Sequence, residues 1–227
     1  NLTKLDIKGL GKAKYILKEG GTLGDLYTTS NLRFNDNGYV EVDKNGNLLM
    51  TDEGEDIYLG SVFPNHNLAW RNDFSYKGIN LGVLFTARLG GVCYSATQAN
   101  LDLYGVSEAS AAARDAGGVL INGREMVDAQ KWYQAIGSQS GLPQYYLYSA
   151  TNVRLQELSL GYTFPRKWFR NKLGLTVSFV GRNLWMIYCK APFDPEAVAS
   201  TGLNYQGIDY FMMPSMRNLG FNVKFQF

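Results

Sequence analysis

The residues from which catalysis could be built are few. The chain has one histidine, His66, and two cysteines, Cys93 and Cys189. A serine or cysteine nucleophile needs a base within hydrogen-bond reach. His66 lies between Asn65 and Asn67, where it reads as an exposed polar loop residue. One His and two Cys do not make a His- or Cys-built metal site. Asp43, Asn45 and Asn47 have the oxygen spacing that opens a calcium loop. The glycine and closing glutamate of that motif are absent from their positions, so the three read as a plain hairpin. Asp194 and Glu196 could form an acid pair of the glycosidase kind. Pro192 and Pro195 flank them, which favours a turn-fixing role. Neither covalent chemistry nor a cofactor is expected. Cys93 and Cys189 each fall where an apolar segment meets a long connection, and a disulfide is permitted outside the cytoplasm.

The elements that would position such residues are more informative. Hydrophobic residues make up 45% of the 227 and charged residues 19%, below the usual quarter or so. The net charge of +2 gives no electrostatic case for nucleic acid or for a polybasic membrane anchor. No apolar run is long enough for a transmembrane helix. Aromatics reach 14% and there are 25 glycines. This composition fits a β protein, soluble or of the outer-membrane kind.

Five segments alternate with period two. Leu219, Phe221, Val223, Phe225 and Phe227 share one face, and Asn218, Gly220, Asn222, Lys224 and Gln226 the other. Leu173, Leu175, Val177 and Phe179 alternate with Gly174, Thr176 and Ser178, in a run that continues to Trp185. Ile79, Leu81, Val83, Phe85 and Ala87 repeat the pattern, with Leu84 out of place. So do Leu68, Trp70, Phe74 and Tyr76, with Asn72 on the dry face and Ala69 on the polar one. Leu158, Leu160, Tyr162 and Phe164 are preceded by Val153 and Leu155 in the opposite parity, a switch that suggests a β-bulge.

Each segment is about 10 residues, the length at which a tilted strand crosses the hydrocarbon layer. A charge on the lipid face at mid-depth costs roughly 2–4 kcal/mol. The parity therefore turns Arg71, Asp73, Arg88, Glu157 and Lys224 toward a wet lumen and the dry face toward lipid. Packing on a second sheet would satisfy the same periodicity. The connections around Lys77 and from Pro165 to Lys172 are short; those from Gly90 to about Ala150 and from Cys189 to about Ser215 are long. Short turns at one end and long loops at the other are the asymmetry of an outer-membrane barrel. Two aromatic girdles are expected: Tyr76, Tyr162, Phe164, Trp168 and Phe169 by the short turns, and Trp185, Tyr188, Tyr210 and Phe211 by the long loops.

Residues 1–60 differ. Asn37-Gly38 and Asn45-Gly46 are hairpin signals with Tyr39, Val40 and Val42 between them. Asp52, Glu53, Glu55 and Asp56 read as a solvated acidic loop. Lys4, Lys8, Lys12, Lys14 and Lys18 read as a solvated face of a short helix or strand. Asn1-Leu2-Thr3 matches a glycosylation triplet of no diagnostic weight. The expected division is 1–60, an extracellular loop region with small hairpins, and 61–227, barrel strands with long loops.

The stretch Tyr148-Ser-Ala-Thr-Asn-Val-Arg-Leu-Gln-Glu-Leu-Ser-Leu-Gly-Tyr162 resembles the C-terminal region of SusC-like (RagA-like) TonB-dependent outer-membrane transporters of Bacteroidetes. So do Gly181-Arg-Asn-Leu-Trp185, Lys190-Ala-Pro-Phe-Asp-Pro-Glu196, Gly207-Ile-Asp-Tyr-Phe211 and Pro214-Ser215. Upstream, Leu23-Gly-Asp-Leu-Tyr27, Asn72-Asp-Phe-Ser-Tyr-Lys-Gly78 and Ala113-Arg-Asp-Ala-Gly-Gly118 also match. The likeness runs from about Gly20 to Phe227. It implies a piece of a barrel of about 22 strands, closed by an N-terminal plug that this sequence lacks. It implies import of oligosaccharides or peptides, driven by TonB through the missing N-terminal part. A SusD-like surface lipoprotein would lie over the mouth.

The fold class is thus expected to be all-β: an antiparallel transmembrane β-barrel segment, about the last five strands of a large barrel, with long extracellular loops. The expected partners are the remainder of the same transporter, the lipoprotein, TonB, the bilayer of the bacterial outer membrane and the substrate. Arg71, Arg88, Glu157, Arg182 and Lys224 would face the lumen. Tyr205, Asp209 and Tyr210 are candidate substrate contacts in a loop, and Phe227 a candidate assembly signal. Five strands leave two open edges, at tens of kcal/mol each in lipid, so a longer polypeptide is expected to supply the rest. The alternative is a soluble or surface-exposed carbohydrate-binding β-sandwich. A secreted β-rich hydrolase is disfavoured by the single His and the lack of a nucleophile motif.

Overall fold

The alternating segments fold as the five strands their period implies. A computed structural model describes residues 4–7, 9–51, 54–199, 202 and 205–227. β1 (His66–Tyr76), β2 (Ile79–Leu89), β3 (Asn152–Phe164), β4 (Gly174–Cys189) and β5 (Asn218–Gln226) form one antiparallel sheet in sequence order. Because partners across an antiparallel ladder point the same way, the register lays the side chains out in rows. Phe74, Leu81, Leu160, Phe179 and Phe221 form one row. Tyr76, Ile79, Tyr162, Val177 and Val223 form the next. On the other face run Ser75, Asn80, Gly161, Ser178 and Asn222.

The parity switch in β3 is a register shift between Leu155 and Glu157, seen against both β2 and β4. The extra residue, Gln156, lets Leu155 face Phe85 and Trp185 on the dry side while Glu157 faces Leu84 and Arg182 on the wet side. Without that bulge one half of β3 would present the wrong face.

Many side chains of the dry face are exposed among the described residues. Phe221 is 80% exposed, Trp70 61% and Leu160 54%. A sandwich would bury these side chains against a partner sheet. Among the described residues β1 and β5 each pair with one neighbour, so both outer edges of the sheet are open. No helix is long and apolar enough to cross a membrane among the described residues.

The chain divides into two units. The sheet with its turns takes Pro64–Gly90, Ala150–Glu196 and Met213–Phe227. The other unit takes the segment up to Phe63, Gly91–Ser149 and Ala197–Met212. The expected single boundary near residue 60 is therefore replaced by interleaving, and the two long connections fold with the first sixty residues. Every passage between the units leaves from the same ends of the strands: the start of β1, β3 and β5 and the end of β2 and β4.

In the second unit, Lys4–Ile7, Lys14–Lys18, Asp25–Thr28 and Ile57–Ser61 make an antiparallel sheet in that order. Tyr15, Leu26, Val62, Tyr94, Tyr146 and Ile208 belong to its core. The connection after Gly90 contains three helices that alternation could not show: α1 (Ala96–Leu103), α2 (Glu108–Asp115) and α3 (Ala129–Gly137). Each begins on a side-chain cap. Ser95 accepts from the Gln98 N–H, Ser107 from Ser110 and Asp128 from Lys131. Leu147–Ser149 and Ile208–Asp209 pair on either side of Val92–Ser95, which clips the two long connections together.

Both Asn-Gly turns form. Asn35 Oδ1 accepts from the N–H groups of Asn37 and Tyr39, and Asp43 Oδ1 from those of Asn45 and Asn47. Gly38 and Gly46, at φ 77° and 76°, close the turns in the left-handed region. The Asp43 oxygens are thus spent on the hairpin, and its carboxyl is held below the usual range by the Asn47 and Asn45 donors. Asn1–Thr3, Lys8, Asp52 and Glu53 lie outside the described residues.

Candidate functional site

The wet face of the sheet brings predicted charges together. Arg71, Leu84, Glu157, Arg182 and Asn218 share a row. Glu157 takes an ion pair from each side: Arg182 Nε at 3.0 Å and Arg71 Nη1 at 3.5 Å. Arg71 also holds Asp73, with Nε to Oδ2 at 2.9 Å. Glu157 thus ties β3 to β4 and reaches across β2 to β1, while Asp73 pairs with Arg71 within β1. Lys224 lies on the same face, opposite Thr176 near the short turns, and Arg88 lies between Asn67 and Asn152 at the other end. Close backbone approach is needed between these polar side chains. A Cβ on Gly82 would meet Ser159 Oγ at 2.5 Å and Asp73 Oδ1 at 2.8 Å.

At the long-connection end of the sheet a buried network gathers residues that are far apart in sequence. Arg154, 2% exposed, donates from Nε to Asn152 Oδ1 at 2.9 Å. Its Nη1 reaches Asp194 Oδ2 at 3.1 Å and Ser215 Oγ at 3.2 Å, and its Nη2 pairs with Asp194 Oδ1. Glu196 stands 3.5 Å from the same guanidinium. Ser215 donates to Asp194, and Asn183, in a left-handed conformation at φ 52°, donates to Ser215 Oγ at 2.8 Å. Burial pushes the Asp194 carboxyl up. The hydrogen bonds from Arg154, Ser215 and the Glu196 N–H outweigh it and hold the carboxyl at about 2. A carboxylate so stabilised does not serve as a general acid. Asp194 and Glu196 anchor the connection to Arg154.

The motif residues quoted for the resemblance converge here. Asn152 and Arg154, Asn183, Asp194 and Glu196, and Ser215 come from four separate stretches. Elsewhere the motif residues also do packing. Asp25 accepts from the Thr22 N–H at 2.9 Å, and Gly117 and Gly118 close α2 with N–H bonds to Arg114 and Ala113. Arg154 was the residue missed in the sequence. Its signal was a lone Arg amid the polar side of an apolar strand, with a Pro-Phe-Asp-Pro turn to receive it.

The other candidates scatter. Asp209 is buried and accepts from Ser95 Oγ at 2.7 Å, so its carboxylate closes the junction of two strands. Tyr205 and Tyr210 are exposed. Phe211 donates its N–H to Thr97 Oγ1, and with Tyr210 it belongs to the second unit and not to the sheet. Trp185 and Tyr188 do lie on the dry face, opposite Leu155 and Val153. Tyr162, Phe164 and Trp168 form a chain of ring contacts, at 4.9 and 5.8 Å, by the short turns. His66 opens β1 opposite Leu89 instead of lying in a loop. Cys93 and Cys189 are both thiols, without a disulfide between them. Lys4 and Lys18 pair across strands, a like-charge contact neutralised by Asp56, which sits 2.8 and 2.9 Å from their ammonium groups. Phe227 follows β5 and is fully exposed.

No protein-family model matches the chain. The TonB-dependent receptor P3 of Formosa agariphila is 26% identical over 198 residues, 82% of this chain and 19% of that protein. The structure of the RagAB peptide transporter is similar with a TM-score of 0.50 at 16% identity, over 94% of this chain and 25% of that one. The RagAB peptide importer in its open-open state gives 0.50 at 15% identity, over 98% and 27%. The chain thus spans a fifth to a quarter of the proteins it resembles. The fold is that of an antiparallel transmembrane β-barrel segment.

Proposed function

We infer that the chain, a barrel segment of a SusC-like TonB-dependent transporter, completes and lines the wall of an outer-membrane nutrient importer. The observation that carries this reading is the exposed dry face, apolar from β1 to β5 except at Asn72 and backed by a charged opposite face. In water such a face would be an aggregation surface; in a bilayer it is a requirement. The open edges of β1 and β5 then pair with strands from the rest of the transporter, because unsatisfied backbone groups in hydrocarbon cost several kcal/mol each.

In this reading Arg71, Arg88, Glu157, Arg182 and Lys224 face the lumen and touch wall and plug before they touch substrate. The second unit is built partly of the long connections, which this reading makes extracellular. Tyr205 and Tyr210 are its candidate contacts for an oligosaccharide or peptide, and a SusD-like lipoprotein is the partner over the mouth. Energy from TonB would enter through parts of the transporter outside this segment. The chain performs no covalent chemistry.

Labelling tests the orientation. Single cysteines at Leu160 and Ser159, in the full transporter with Cys93 and Cys189 replaced by serine, would carry a fluorophore on either face of β3. A lipid-embedded quencher should reach the label at Leu160 and a water-soluble one the label at Ser159. Equal quenching of both by the aqueous agent would refute the reading.

A further inference from the structure

The chain's near-neutral net charge conceals a local imbalance at the short-turn end of the sheet. The two turns there carry Lys77, Arg166, Lys167, Arg170 and Lys172, and no Asp or Glu between Tyr76 and Gly78 or between Pro165 and Leu173. The turns are neighbours: the Thr163 N–H donates to Gly78 O at 2.7 Å, just before the second turn begins. Among the described residues none of the five cations pairs with a carboxylate.

The second turn is well tied. Residues 166–169 form one 3₁₀ turn. The N–H groups of Trp168, Asn171 and Lys172 then bond Pro165, Arg166 and Phe169 at 2.9–3.0 Å. Its exposed Trp168 ring contacts Phe164, which continues the dry face. Lys77 Nζ lies 5.1 Å from the ring centre of Tyr76, also on the dry face. Arg166 leans elsewhere, with Nε 3.4 Å from where a Cβ on Gly174 would stand. Lys77 thus borders a dry-face aromatic, and Lys167, Arg170 and Lys172 lie on the turn that carries Trp168. Aromatic rings of this kind sit at headgroup level in a bilayer, which sets the cations at the depth of the phosphates.

We propose that Lys77, Lys167, Arg170 and Lys172 form a rim that binds the phosphates of anionic phospholipids in the leaflet on the short-turn side, with Trp168 and Phe164 seated on the upper acyl chains. This rests on the membrane-spanning reading above. Charge complementarity selects the lipid: each basic residue near an anionic surface strengthens binding roughly fivefold, and the attraction is screened by salt.

The full transporter, reconstituted in nanodiscs of phosphatidylcholine with a minority of phosphatidylglycerol, provides the test. Native mass spectra after release should show retained phosphatidylglycerol in preference to phosphatidylcholine. The variant K77Q/K167Q/R170Q/K172Q should lose that preference at least tenfold, while K77R/K167R/R170K/K172R keeps it. Should the fourfold neutralisation impair assembly, K77Q/K172Q should still lower retention several-fold. Retention unchanged in the glutamine variants overturns the rim. So does its selective loss in phosphate buffer at matched ionic strength, which would mark a site for free phosphate. A transporter that retains neither lipid refutes the membrane-spanning reading instead, so the two failures are distinguishable.

Discussion

Arg154 ties together the long-connection end of the sheet. It is buried, and its partners come from β3, β4 and the segments that follow β4 and precede β5. Removing one member of a buried ion pair strands the other, at about 3–5 kcal/mol. Arg154→Ala should therefore lower the melting temperature of the assembled transporter and open the 190–216 connection to protease. The pH dependence follows from Asp194. Its carboxyl titrates at about 2 in the fold against an ordinary 3.8. The contribution is complete above the unfolded value and is lost as pH falls through the folded one. It amounts to roughly 2 kcal/mol at neutral pH. Heat-induced gel mobility shifts should be flat from pH 8 to 5 and fall toward pH 2. Asp194→Asn should melt lower at neutral pH and lose most of the acid-side dependence.

Among the elements, β3 shows both what the sequence made legible and where legibility stopped. Its dry and wet faces, and the switch near Leu155, followed from alternation alone, because a strand buried on one face must repeat every two residues. The same logic found all five strands. It could not find α1, α2 and α3, whose 3.6-residue apolar pattern is short and partly polar. Nor could it bring Arg154 to Asp194, since forty residues of chain separate them and no local rule fixes that contact. Deleting Gln156 isolates the contribution of the bulge. The deletion would turn Val153 and Leu155 onto the wet face and Arg154 onto the dry one. Outer-membrane yield of the heat-resistant folded form should collapse, whereas replacing Gln156 by alanine should leave it near normal.

At the scale of the whole molecule, the two faces of the sheet demand different solvents, and one residue of displacement along a strand should change the outcome. Phe179 and Ser178 are neighbours on β4 in the middle rows of the sheet, one dry and one wet. In a bilayer Phe179→Arg would set a guanidinium among acyl chains, at roughly 2–4 kcal/mol near the midplane. Ser178→Arg would add a cation to a face that already carries Arg71, Arg182 and Lys224. Folded yield of Phe179→Arg should fall well below wild type, and that of Ser178→Arg should stay close to it. In a water-soluble protein the ranking would reverse. Phe179 is half exposed, so an arginine there would improve solubility, while Ser178→Arg on the already polar face would change little. The sign of the difference between the two variants therefore reports which medium the dry face occupies.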